Sequence, residues 1–159
     1  PVDLARKSCS VGLCDRSGHL LQFRAFPDQD GLLDLIIEAL RRMAQSVDKS
    51  KILGIGINAL ATAAMVKAGA DGGATGESAV CYNCAHADII IGPIGLVLVG
   101  SMLGEVSAQI ANAVASSEAE KVLIPVSRCH AHIAGVKDQP MGRFIEDALQ
   151  EVKKILQNA

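Results

Sequence analysis

The 159-residue sequence predicts an α/β domain with a mostly parallel sheet and helices on both faces. Three observations carry this. From Lys51 onward, short apolar runs alternate with segments of helical periodicity, the pattern of strand–helix–strand units. The runs are continuous rather than alternating, as strands buried on both faces require. Half the residues are apolar yet only 3% are aromatic, so the core must be built from Ala, Val, Ile and Leu. The length suits one domain over residues 1–159, with residues 1–30 poorly defined.

In chain order, "SVGLC" or "HLLQFRAF" is a candidate strand, and "DGLLDLIIEALRRMAQ" (30–45) is the first clear helix. "KILGIG" (51–56) reads as a strand, and Asn58 is placed to cap the Ala-rich helix 59–68, with Gly69 at its C′ position. "GADGGATGES" (69–78) reads as a tight helix–helix connection in which Thr75 caps a helix over 78–87, with Glu77 favourable beside its dipole. "DIIIGP" (88–93) is the next strand, and Ser107 caps a helix over 107–117. "EKVLIPVS" (120–127) and "AHIAGV" (131–136) read as strands. The chain closes with an amphipathic helix over 141–159, in which Phe144, Ile145, Leu149, Val152 and Leu156 share a face.

Composition excludes several classes. With a net charge of −2, no basic tract and few aromatics, nothing favours nucleic acid. The most apolar stretch, 89–103, is broken by Pro93 and glycines and is too short to span a membrane. Five scattered cysteines in an apolar chain suit reduced thiols and a cytoplasmic setting better than a disulfide scaffold.

In open α/β sheets, ligands sit beyond the carboxyl ends of the strands. That rule selects Asn58 after the first strand, Gly92, Pro93 and Gly95 after the second, and Arg128 and Cys129 after the third. Asn58 offers an amide, Arg128 a fork for a carboxylate or phosphate, and Cys129 a thiol. "GGATGE" lacks the lysine of a P-loop, and Asp71 and Glu77 oppose a phosphate, although its backbone N–H groups could face an anion. Glu105, a carboxylate in a long apolar region, has two readings: an acceptor for a ribose hydroxyl or a base, and a plain complement to a helix dipole. Cys81, Cys84 and His86 form one sulfur–imidazole group, and Cys129, His130 and His132 another. Neither has a standard zinc spacing, so no metal site is assigned and thiol or metal chemistry is the least favoured reading.

Taken together, "NALATAAMVKAGADGGATGESAV", "NCAHADIIIGPIGLVLVGSMLGE" and "KVLIPVSRC" resemble a family of small bacterial proteins described as a domain of unknown function with a Rossmann-like fold. The resemblance covers about residues 51–140 and implies a Rossmann-like three-layer sandwich. It also implies that Asn58, the 73–77 loop with Thr75, Gly76 and Glu77, the 92–95 loop, Ser101, Glu105 and Cys129 belong to the family's signature. The front of the chain departs from it. Where the family has a Gly-rich turn before the first helix, this chain reads "AFPDQDGLLD", with only Gly31 left and with Pro27, Asp28 and Asp30 opposing an anion. Either the turn has been lost or residues 1–30 are not the natural start. Ile57 replaces the threonine usual before Asn58, which removes a hydroxyl.

The expectation is therefore a small polar, nucleotide-like ligand at the strand ends, contacted by Asn58, Thr75, Ser101, Glu105 and Arg128, with Gly92 and Gly95 allowing close approach. The alternative is a homodimerising structural or regulatory module in which the Ala-rich helices and glycine turns serve close packing.

Overall fold

A computed structural model describes residues 12–13, 32–44, 51–125 and 132–158. The described elements are β1 (Gly12–Leu13), α1 (Leu32–Ala44), β2 (Ile52–Gly56), α2 (Ala59–Lys67), β3 (Gly72–Thr75), α3 (Glu77–Cys84), β4 (Ile89–Pro93), a 3₁₀ turn (Ile94–Val97), α4 (Ala108–Ser116), β5 (Glu120–Ile124) and α5 (Met141–Asn158). The strand order is β3-β2-β1-β4-β5. β2 and β3 are parallel, as are β4 and β5, whereas β1 runs antiparallel to both β2 and β4. The architecture is thus α/β: because β1 is antiparallel to both β2 and β4, the four longer strands all run the same way, and the single exception is a two-residue strand between two parallel pairs. β1 falls within "SVGLC"; "HLLQFRAF" lies outside the described residues.

The side chains of β4 explain its continuous apolar run. Ile89 and Ile91 join a cluster with Ile36, Ile37 and Leu40 of α1, Met65 of α2 and Val152 of α5. Ile90 joins a second cluster with Val80 of α3 and Ile110 and Val114 of α4. Successive residues of one strand therefore serve opposite faces, and each face is covered by helices. The helices at 59–68, 107–117 and 141–159 are found within a residue or two of expectation. Asn58 and Ser107 cap α2 and α4, accepting from Ala61 N at 2.9 Å and Ile110 N at 3.1 Å. Gly69 takes the left-handed conformation expected just after α2, with φ +111°.

Two expectations fail. "GADGGATGES" is not a helix–helix connection, because Gly72–Thr75 form an edge strand paired residue by residue with Leu53–Gly56. Asp71 opens that ladder. Its N–H donates to the Ile52 carbonyl at 2.7 Å, and its carboxylate accepts from Ile52 N at 2.7 Å. Thr75 consequently lies in the strand, the N-cap of α3 is Gly76 with φ 99°, and no side chain caps that helix. The strand expected at 131–136 is also absent among the described residues 132–136, where an Ile133–Val136 turn contains Gly135 with φ +85°.

Candidate functional site

The carboxyl ends of β2, β3 and β4 lead into three helix N-termini and one compact loop. β2 ends at Gly56, and two residues later Asn58 starts α2. Close approach is built into this turn. A Cβ on Gly56 would lie 2.4 Å from Thr62 Oγ1 and 2.7 Å from both Asn58 O and Thr62 N. Thr62, one turn into α2, reaches across to β3. Its Oγ1 lies 3.1 Å from the Ala74 carbonyl and 2.7 Å from Thr75 Oγ1. A hydroxyl has one proton to give, so donation to Ala74 leaves Thr62 accepting from Thr75. Beyond Thr75, Gly76 N donates to the Gly56 carbonyl at 2.8 Å, which ties the two strand ends together.

Residues from the loop after β4 complete the cluster. Asn58 uses its Oδ1 to cap α2 and directs Nδ2 to Glu105 Oε1, 3.4 Å away and 47 residues on in sequence. Ser107 Oγ donates to the Glu77 carboxylate while accepting from Ile110 N. Ser101 Oγ donates to the Gly95 carbonyl at 2.6 Å. The result is an amide, two carboxylates and several hydroxyls drawn from strand ends far apart in sequence. Segments 56–62, 74–80 and 92–108 contain no lysine or arginine, so their formal charge comes from Glu77 and Glu105 alone. Both acids sit at or just before helix N-termini, where the dipole favours them.

Of the residues selected from sequence, Asn58, Thr75, Gly76, Glu77 and Glu105 converge here. Gly92, Pro93 and Gly95 are buried, and of these Gly95 meets the cluster through its carbonyl to Ser101. Arg128 and Cys129 lie outside the described residues. Thr62 and, as more than a cap, Ser107 were not anticipated; the only trace of their roles is a hydroxyl at a fixed step from a strand end.

Two clefts lie elsewhere. One of about 320 Å³ between β5 and α5 is lined by Ile124, Pro125, Lys137 and Phe144. The other, about 660 Å³ at the amino ends of β4 and β5, is lined by Cys81, Cys84, His86, Asp88 and Ser117. Neither includes Asn58 or Glu105. Among the described residues no group of three or more His, Cys, Asp or Glu side chains is placed to hold a metal ion, and no helix is long and apolar enough to cross a membrane.

The thiols in the larger cleft differ in access. Cys81 is half-buried and Cys84 is buried. Burial, reinforced by the nearby Cys81 and opposed by Lys121, pushes the Cys84 thiol from 9.0 up to about 12. The reactive form of a cysteine is the thiolate, so iodoacetamide at pH 8 is expected to alkylate Cys81 at least about tenfold faster than Cys84, read by peptide mass spectrometry. The same shift links stability to pH. Between pH 9 and 12 the unfolded thiol is ionised while the folded one keeps its proton, so stability falls as pH rises, by up to about 1.4 kcal/mol per pH unit. Cys84→Val is expected to remove that slope in urea unfolding.

No curated protein and no solved structure matches the chain. Residues 29–157 match a family model. The match spans most of the sequence, and the chain belongs to the family described as Domain of unknown function (DUF3842).

Proposed function

We propose that the chain is a Rossmann-like three-layer protein of bacterial, cytoplasmic origin that binds a small polar, nucleotide-like ligand at the carboxyl ends of its strands. The observation that carries this reading is that three hydrogen-bonded pairs, Asn58–Glu105, Thr62–Thr75 and Glu77–Ser107, sit at the ends of β2 and β3 and in the loop after β4. The strand order, with the first strand between two parallel pairs, supports the reading, because open α/β sheets receive ligands beyond the carboxyl ends of their strands. The chemistry of the cluster favours a partner with hydroxyl or amino donors. Two carboxylates accept such bonds, and the segments around them carry no cation. The reading is one of binding, with no reaction step.

The test is a melting-temperature screen of the protein against nucleosides, nucleotides, sugars and amino acids, repeated with Asn58→Ala and Glu105→Ala. The reading requires a ligand that raises the melting temperature of the wild type and neither variant. A panel without any such ligand removes it. A second reading, a homodimer, is favoured by Leu60 and Val66, which are exposed on α2. It requires concentration-dependent sedimentation that a charged substitution at Leu60 abolishes.

A further inference from the structure

The loop between the 3₁₀ turn and α4 is a small closed lobe. Gly100 N donates to the Val106 carbonyl at 2.8 Å, so the ends of the 100–106 segment meet, as in the compact surface loops that are frequently functional. One side of the lobe is anchored. Val106 is fully buried, and Met102 packs against the second core cluster. The other side reaches the strand ends, where Glu105 meets Asn58. Leu103 at its tip is 93% exposed.

This conformation is unfavourable on two counts. Met102, Leu103 and Gly104 lie consecutively in the left-handed region, with φ 56°, 61° and 90°. For each of the two that are not glycine this costs roughly 1–2 kcal/mol. The tip also holds a leucine in water, forgoing roughly 1.5–3 kcal/mol that burial would return. Strain held at a surface loop points to a segment with a second position. An added Cβ on Gly100 or Gly104 would meet nothing within 4 Å, so neither glycine is packed against a neighbour on that side. On this side Asn58 Nδ2 donates to Glu105 Oε1 at 3.4 Å.

The strand ends need such a cover. Small-molecule sites enclose most of their ligand, and the 100–106 lobe meets Asn58 at the end of β2 through Glu105. We propose that the 100–106 lobe is a lid over the strand-end site and that Leu103 is the side chain that closes on the ligand. The ligand then carries an apolar face for Leu103 beside the hydroxyl donors that Glu105 and Glu77 accept. The inference rests on the strand-end binding reading and adds to it the class of ligand and the way it is enclosed.

The test uses the full chain with Leu103→Trp, which supplies its sole tryptophan because the sequence has none. It is titrated with adenosine, which offers a diol and an apolar base, and with D-ribose, which offers hydroxyls alone. Amide exchange is followed on the wild type in parallel. In the free protein, the amides of 101–105 are expected to exchange at least about 100-fold faster than those of β4. Adenosine is expected to shift the tryptophan emission to the blue and to slow lobe exchange about tenfold, and ribose to do neither. Lobe amides as protected as those of β4 would overturn the lid, because Met102 and Leu103 cannot leave the left-handed region without breaking the bonds from Gly104 N, Glu105 N and Val106 N. So would adenosine, or any compound from the melting screen, that stabilises the wild type and leaves the emission unmoved; the strand-end site would then stand without its lid. If no compound stabilises the wild type, the strand-end reading falls and the lid falls with it.

Discussion

Gly56→Ala is expected to lower stability by about 3 kcal/mol, which for a chain of this size is a fall in melting temperature of roughly 6–12 °C. The cost is steric. The new methyl would overlap Thr62 Oγ1 at 2.4 Å, and two of its three nearest atoms, Asn58 O and Thr62 N, belong to the backbone. A rotamer change at Thr62 relieves one of those contacts only. The N-terminal turn of α2 must therefore withdraw from β2, and it carries Asn58 and Thr62 with it. Gly73→Ala is expected to cost less, about 1–2 kcal/mol. Its closest contacts, at 2.7 and 2.8 Å, are the methyl groups of Thr62 and Val66, and its first backbone contact is at 3.1 Å. Gly142→Ala is the control. It lies in α5 with nothing within 4 Å of an added Cβ, and it should raise stability by about 0.5–1 kcal/mol by restricting the unfolded chain. Urea unfolding of the three variants tests the ranking. A Gly56→Ala protein that unfolds with the wild type would show that the β2–α2 turn is not tightly packed and that Asn58 is not held where the site needs it.

The same glycines mark where the sequence was legible and where it was not. β2, β4, α2 and α4 could be read because each carries its own evidence, an apolar run such as "IIIG" or a cap such as Asn58 or Ser107. "GGAT" carries none. It has no apolar alternation, glycine is a poor strand former, and an edge strand buries little. Its strand character comes from outside itself, from the ladder to Leu53–Gly56 and from α2, whose Thr62 and Val66 leave no room for a side chain at Gly73. Thr75 reads as a helix cap for the same reason. A threonine before an acid reads as a cap unless the pairing that claims its backbone is known. The site was half legible. The rule for strand ends located Asn58 and the β4 exit, and Glu105 drew attention as a lone acid. Their contact joins positions 47 residues apart, and Glu77 and Ser107 are 30 apart. No spacing rule reaches so far, because the fold alone sets those distances.

Asn58 and Glu105 are expected to part company when stability and binding are measured side by side, which distinguishes a binding site from a structural contact. Asn58 has a structural duty. Its Oδ1 caps α2, so Asn58→Ala should cost about 1 kcal/mol whatever the protein binds. Asn58→Asp keeps an acceptor at the cap, where aspartate serves as well as asparagine, but it turns the donor facing Glu105 into a second carboxylate. It should therefore preserve α2 while pushing the lobe away. Glu105 is exposed, and Ser107 rather than Glu105 caps α4. Its described contact with Asn58 is 3.4 Å long and exposed, so Glu105→Ala should change stability by less than about 0.5 kcal/mol. Each substitution should nevertheless weaken the ligand identified in the melting screen about tenfold or more, the worth of a hydrogen bond lost from a site that cannot replace it. Combining Asn58→Asp with Glu105→Gln restores a donor opposite the new carboxylate, and it should recover the tether with its polarity reversed. The double variant should then return lobe exchange toward the wild-type rate without returning ligand affinity, because the acceptor offered to the ligand's hydroxyls has gone. Binding by the double variant at wild-type strength would mean that the ligand uses neither group. A stability loss at Glu105→Ala equal to that at Asn58→Ala would make the pair a brace of the fold rather than part of a site.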